Sequence, residues 1–171
     1  MISTRIVLLT VAAMLALGTG CGRAAKTEII EFQRKEAALL VSEAQFAMQI
    51  RNWTDAEAAL TKAVEKVPEV GPYWVSLGAM RMKLGKRSEA KAAYQGALKA
   101  FEAEAEEKKT DPEPWLQQVY VLSLLGRVDD GRALLEKTAR RFPDNRNVKL
   151  FVEGKQFDQM MADPKFKEMA L

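Results

Sequence analysis

Chemistry in a protein needs side chains that move protons, attack carbonyls or hold metals, and this chain is short of them. It has no histidine and a single cysteine, Cys21. That removes the usual general base, most zinc sites and any cysteine–histidine pair. Carboxylates are plentiful, but Glu102, Glu104, Glu106 and Glu107 crowd into one run of strong helix formers, which reads as a solvated helical face. No glycine-rich loop follows a strand-like segment, so the sequence offers no phosphate cradle. The residue inventory points away from an enzyme, implies no cofactor or metal, and leaves binding as the remaining class.

Cys21 takes its meaning from what precedes it. Arg5 is followed by an uncharged apolar run, Ile6 to Leu17, and then by Gly18-Thr19-Gly20. A short positive segment, an apolar core of roughly 7–15 residues and small residues at its end describe a secretory signal. The run falls short of the roughly 20 apolar residues a membrane span needs. The segment resembles the signal and lipobox of bacterial lipoproteins, with Gly18 standing where that family prefers Leu. The resemblance implies removal of residues 1–20 and attachment of lipid, palmitate included, to Cys21. Ordinary cleavage near Ala16-Leu17-Gly18 is the alternative, and it leaves a soluble exported protein with one free thiol in an oxidising compartment. Gly22 after the cysteine is the family's outer-membrane pattern, so the implied location is the outer membrane facing the periplasm. Residues 21–26 then act as a tether, and at about 3.3–3.6 Å per residue Gly22 to Lys26 reach at most roughly 20 Å. Arg23 and Lys26 would face headgroups.

The whole chain carries 26 Lys and Arg against 23 Asp and Glu, a formal charge of +3. Removing residues 1–20 takes away only Arg5 and leaves +2, so nothing in the balance favours a nucleic-acid surface. What remains is one domain of ordinary size. It is rich in Ala, Glu, Lys and Leu and has no proline inside a helical stretch, an all-α composition.

The elements that position its side chains repeat. Aligning Leu40, Trp74 and Trp115 brings the other positions into columns. A turn-forming column before the second helix reads Asn52, Gly85, Gly126. A small column early in that helix reads Ala56, Ala90, Gly131. A bulky column reads Leu60, Tyr94, Leu135, and a compact one Ala63, Ala97, Thr138, before Pro68 and Pro143 close the first and third copies. A unit of this size made of two helices cannot bury its apolar face alone and must stack on its neighbours. The spacing predicts helices over 27–51, 54–66, 72–84, 88–108, 112–125 and 129–141. Thr54 with Glu57 forms a capping box, and Asp111 caps the helix that opens at Pro112. The inserted residues 105–111 lengthen the second helix of the second copy. Gly131 in place of alanine costs about 1 kcal/mol of helix stability.

These columns resemble the tetratricopeptide repeat (TPR), in copies at 37–70, 71–104 and 112–145. The resemblance implies a TPR-type α-solenoid of three helical hairpins over 27–145, with C-terminal capping helices in 146–171. Two positions depart from the family pattern. Glu43 stands where Leu is usual and Arg81 where Tyr is usual, and a pairing between them is one explanation of both. After Pro143, Asp163 caps a last helix with Pro164 at its first position. Phe157, Met160, Met161, Phe166 and Met169 then cover the open end of the stack, or alternatively grip a partner.

In this family ligands lie in a concave groove lined by the first helix of each repeat. The matching positions are Val41, Gln45, Met48 and Gln49 in the first copy, Val75, Ala79, Met82 and Lys83 in the second, and Leu116, Tyr120, Ser123 and Leu124 in the third. The Lys, Asn and Arg clamp that some chaperone-binding members use is absent, since its places read Val41, Gln45, Ser76, Glu113 and Gln117. The groove is apolar with amide edges and suits an amphipathic helix or an extended apolar peptide. Some of these residues could instead be core, or be covered by the chain's own N-terminal helix. The implied partner is another envelope protein or peptide segment, with the lipid as membrane anchor. The specific form of that role is a pilotin-like assembly factor. A soluble secreted module that self-associates into a homo-oligomer through its groove is the competing reading.

Overall fold

In a computed structural model, residues 20–153 and 155–171 are described, with side chains from Glu28 onward apart from that of Ile29. The apolar signal run lies outside the described residues, as does the side chain of Cys21. Among the described residues there are helices and turns but no strand. The helices are α1 (Gly20–Gln49), α2 (Trp53–Lys66), α3 (Gly71–Lys83), α4 (Arg87–Glu107), α5 (Glu113–Leu124), α6 (Val128–Arg141), α7 (Arg146–Val152), α8 (Gln156–Ala162) and α9 (Pro164–Met169). Helices α1–α2, α3–α4 and α5–α6 form three hairpins that stack in chain order. This is the all-α TPR-type arrangement the columns imply. None of the described helices is long and apolar enough to cross a membrane.

Helix α1 spans Gly20–Gln49, so residues 21–26 are helical and not an extended tether. Ala24-Ala25-Lys26 are strong helix formers. A helix rises about 1.5 Å per residue, which shortens the reach of that segment to about 9 Å.

Within each hairpin the helices meet at paired small positions. In the first, Ala44 and Ala56 are both fully buried. In the second, Gly78 lies under the Tyr94 ring so closely that a Cβ there would come within 2.2 Å of it. The third hairpin reverses the pairing. Val119 occupies the column of Ala44 and Gly78, and a Cβ on Gly131 would lie 3.3 Å from its carbonyl oxygen and 3.2 Å from Ser123 Oγ. The larger residue on α5 is thus matched by the absent side chain on α6. Gly131 is a packing choice, and its helix penalty buys close approach.

The two aligned tryptophans lie against the same column of their hairpins, but only the Trp74 indole nitrogen finds a hydrogen-bond partner. Trp74 lies over Gly96 of its own hairpin, and its indole nitrogen donates to the Pro68 carbonyl at 2.9 Å. Trp115 lies beside Lys137, which holds the column of Gly96, and is flanked by Arg141 and the Phe142 ring.

The turn between first and second helices differs from the aligned column. Gly85 and Gly126 take φ of +73° and +72°, and their counterpart in the first hairpin is Arg51, φ 60°, not Asn52. The same hydrogen bonds close all three turns: Asn52 to Ala47, Lys86 to Arg81 and Arg127 to Leu122, each N–H to carbonyl. Asn52 instead caps α2. Its side chain accepts from the Asp55 N–H and donates to the Asp55 carboxylate. The capping pair is therefore Asn52–Asp55 and not Thr54–Glu57. Asp111 accepts from the Glu113 N–H at 3.0 Å, although the backbone places Pro112 at the cap itself.

Glu57, released from capping, faces the next hairpin. It is buried and accepts from Arg81 Nε at 3.2 Å and Lys86 Nζ at 2.6 Å. This accounts for Arg81 in a column where an aromatic is usual: its partner is Glu57, while Glu43 is exposed. Burial by itself would raise the Glu57 pKa, but the bonds from Lys86 and Arg81 outweigh it and hold the carboxyl below its ordinary value.

The insertion lengthens α4 to Glu107 as the composition predicts, with Glu102, Glu106 and Glu107 in solvent and Ala105 buried. Beyond the third hairpin, Val148 and Phe157 pack on Leu116, Val119 and Leu135 and close that end of the stack. Met160 and Met161 bridge this cluster to the next. The chain then turns at Asp163, whose side chain accepts from the Lys165 N–H to start α9.

Candidate functional site: the groove face of the first helices

Helix α9 does not stay at the end of the stack. It returns along the face built by the first helices and packs on α3. Phe166 is buried with Tyr94, Val121 and Leu124, its ring edge-on to Tyr120 at 5.6 Å. Met169 reaches into both the first and second hydrophobic clusters. The Tyr94 hydroxyl donates to the Met169 carbonyl at 2.7 Å, and the Leu171 N–H donates to the Leu124 carbonyl at 2.9 Å. Lys83 closes the edge with an ion pair to Glu168. Of the five residues expected to cover the open end, Phe157, Met160 and Met161 do so, while Phe166 and Met169 lie in the groove. The reason is spatial: the Asp163-Pro164 turn redirects the chain, and a six-residue helix fits between Met82 and Tyr120 with Phe166 and Met169 turned inward.

The aligned groove positions separate into three groups. Val75, Met82 and Tyr120 are half-buried against the cluster that holds the tail, and Leu124 is fully buried beneath Leu171. Val41 and Met48 pack on the first cluster, and Ala79 is buried inside it. Gln45 and Gln49 face solvent. Ser123 leaves the set altogether. It is buried against Gly131 inside the third hairpin, its hydroxyl donating to the Val119 carbonyl. Among the described residues the segment seated on this face is C-terminal, α9 and the residues after it.

Further along the third hairpin a hollow of about 500 Å³ stays open, with Leu116, Tyr120 and Phe151 as its apolar wall and Gln117, Asn147 and Gln156 as amide edges. The alignment placed Leu116 and Tyr120 there. Phe151, Asn147 and Gln156 come from α7 and α8, outside the repeat, where no column could register them.

The electrostatics suit a hydrophobic contact. Burial raises the pKa of Tyr94, with the nearby Tyr120 adding to it, and burial likewise raises that of Tyr120, so both stay neutral in ordinary buffers. No group of three or more His, Cys, Asp or Glu among the described residues could hold a metal ion. The arrangement can seat a short amphipathic helix and offers its main chain two hydrogen-bond partners, the Tyr94 hydroxyl and the Leu124 carbonyl.

No family model and no curated protein matches this chain. Among solved structures it is similar to the Arabidopsis OM64 TPR domain, at 16% identity and a TM-score of 0.43 over 74% of this chain and 98% of that one.

Proposed function

We propose that the chain is a non-enzymatic exported lipoprotein, held at the outer membrane through Cys21, whose hairpin stack serves as an adaptor or assembly scaffold for another envelope protein, as a pilotin does. The observation that carries the binding role is the seat of α9. A groove that holds Phe166, Met169 and Leu171 through pockets and two backbone bonds has the shape and chemistry to hold a short amphipathic helix from a partner. Such a helix either replaces the tail or adds beside it over Gln45 and Gln49. The anchor rests on the sequence before Cys21.

The test is photo-crosslinking in cells from a probe at Gln45, with Met82→Glu as the groove control and Cys21→Ser as the anchor control. The expected result is an adduct with a second envelope protein that Met82→Glu abolishes. An adduct that survives Met82→Glu rules the groove out. Cys21→Ser is expected to free the protein from the membrane fraction and to remove labelling by a palmitate analogue, and a protein that stays membrane-bound and labelled refutes the anchor.

A further inference from the structure

The far end of the stack is closed by α7 and α8, but the near end presents an apolar surface. Phe32, Leu39, Phe46 and Ile50 of α1 and the residues following it are 61%, 72%, 63% and 60% exposed. Their spacings of seven, seven and four residues put them on one side of the helix. That side points away from Ala37, Ala44 and Ala47, which are buried.

The repeat itself shows what such a side meets. Leu39, Phe46 and Ile50 align with Tyr73, Met80 and Leu84, and these with Pro114, Val121 and Leu125. In the second hairpin Tyr73 packs on Ala63 and Val67, and Met80 is buried with Leu60 and Val64. In the third, Pro114 is buried, and Val121 lies with Tyr94 and Phe101. Each time this column docks on the preceding helical hairpin. Among the described residues no hairpin precedes the first copy, yet it keeps large apolar residues where a terminal repeat needs a polar outer face.

We propose that this near face joins two copies of the chain, α1 and α2 of one against α1 and α2 of the other, about a two-fold axis. Three features select a second copy. At the opposite end Val148 and Phe157 are buried, and of the large apolar residues only Leu150 and Val152 are exposed. That end carries no counterpart of the preceding-hairpin surface the stripe would dock on, and a face that meets itself closes the assembly. The charges around the stripe balance: Lys35, Lys62 and Lys66 against Glu36, Glu43 and Glu65. Such a border does not repel its own copy and has no positive excess to draw it to an anionic lipid surface. Finally, the size is adequate. The stretch from Phe32 to Ile50 is about 27 Å long and two packed helices are about 20 Å wide, so the pair buries about 1,100 Å² in total, at the lower edge of specific interfaces. A reversible dimer is the result. This proposal is independent of the groove reading.

Sedimentation of the full chain, purified from its cells in detergent over a range of concentrations, tests it together with a photo-crosslinker at Leu39. The expected outcome is a concentration-dependent dimer and a crosslinked product of twice the chain mass. Leu39→Glu and Phe46→Glu, both at solvent-facing sites and with unchanged circular dichroism, each raise the dissociation constant by about tenfold or more. A chain that stays monomeric throughout overturns the proposal, as does a dimer that survives both substitutions. So does a Leu39 crosslink confined to one chain, to lipid or to a different protein.

Discussion

The Tyr94 hydroxyl and the Met169 carbonyl, separated by 75 positions in sequence, meet at 2.7 Å. The bond ties the second helix of the middle hairpin to the last helix of the chain, across the face built by the first helices. Tyr94 also fills the space above Gly78. One side chain therefore serves the hairpin core and the seat of the tail together.

Tyr94→Phe keeps the ring and removes the hydroxyl. The loss of one buried bond costs about 1 kcal/mol. Its effect should concentrate on the tail: hydrogen–deuterium exchange across 164–171 is expected to rise while α3 and α4 exchange as before. Equal exchange in the tail would show that the bond does not hold it.

Gly78→Ala places a methyl within 2.2 Å of the Tyr94 ring, with 2.5 Å to a second ring atom. The ring cannot retreat without leaving Phe166 and Met169. Overpacking of this kind costs about 1–3 kcal/mol, so chemical denaturation should show a loss in that range and a tail that becomes protease-sensitive. A neutral effect would mean the hairpin can open without strain.

Glu57 is ionised between Lys86 and Arg81, with its pKa held below the ordinary 4.5. A depressed folded-state pKa contributes stability that is fully present above 4.5 and is lost as pH falls through the lower folded value. Glu57→Gln should be less stable than the parent at pH 7, by about 1–3 kcal/mol, and should show a shallower loss on acidification below 4.5. Parallel acid-unfolding curves for the two proteins would contradict this account.

Arg51 holds a left-handed conformation, φ 60°, where the other two hairpins use glycine. A side chain in that region costs about 1 kcal/mol, which glycine avoids at some expense in the unfolded chain. Arg51→Gly is expected to raise the melting temperature slightly, by about 1–3 °C. A fall would mean that the arginine makes a contact worth more than the strain.

The periodicity of Leu40, Trp74 and Trp115 was enough to establish the six repeat helices and their hairpin pairing, because burial on a stacked hairpin recurs at fixed spacing and each contact is nearly local. The run of helix formers after Phe101 showed the extension of α4. The same logic exposes the stripe of Leu39, Phe46 and Ile50, which is legible once the later copies show what the column is for. Offsets of a single residue were not legible: Asn52 suits both a turn and a cap, and only backbone dihedrals assign the turn to Arg51 and the cap to Asn52. The partner of Arg81 was equally hidden, since Glu43 and Glu57 are alike in type and differ only in which neighbour they face. Above all, the tail carries no repeat, so nothing in its order of residues says whether Phe166 covers an end or enters a groove. The tertiary structure decided that, because the space between Met82 and Tyr120 exists only after three hairpins have stacked.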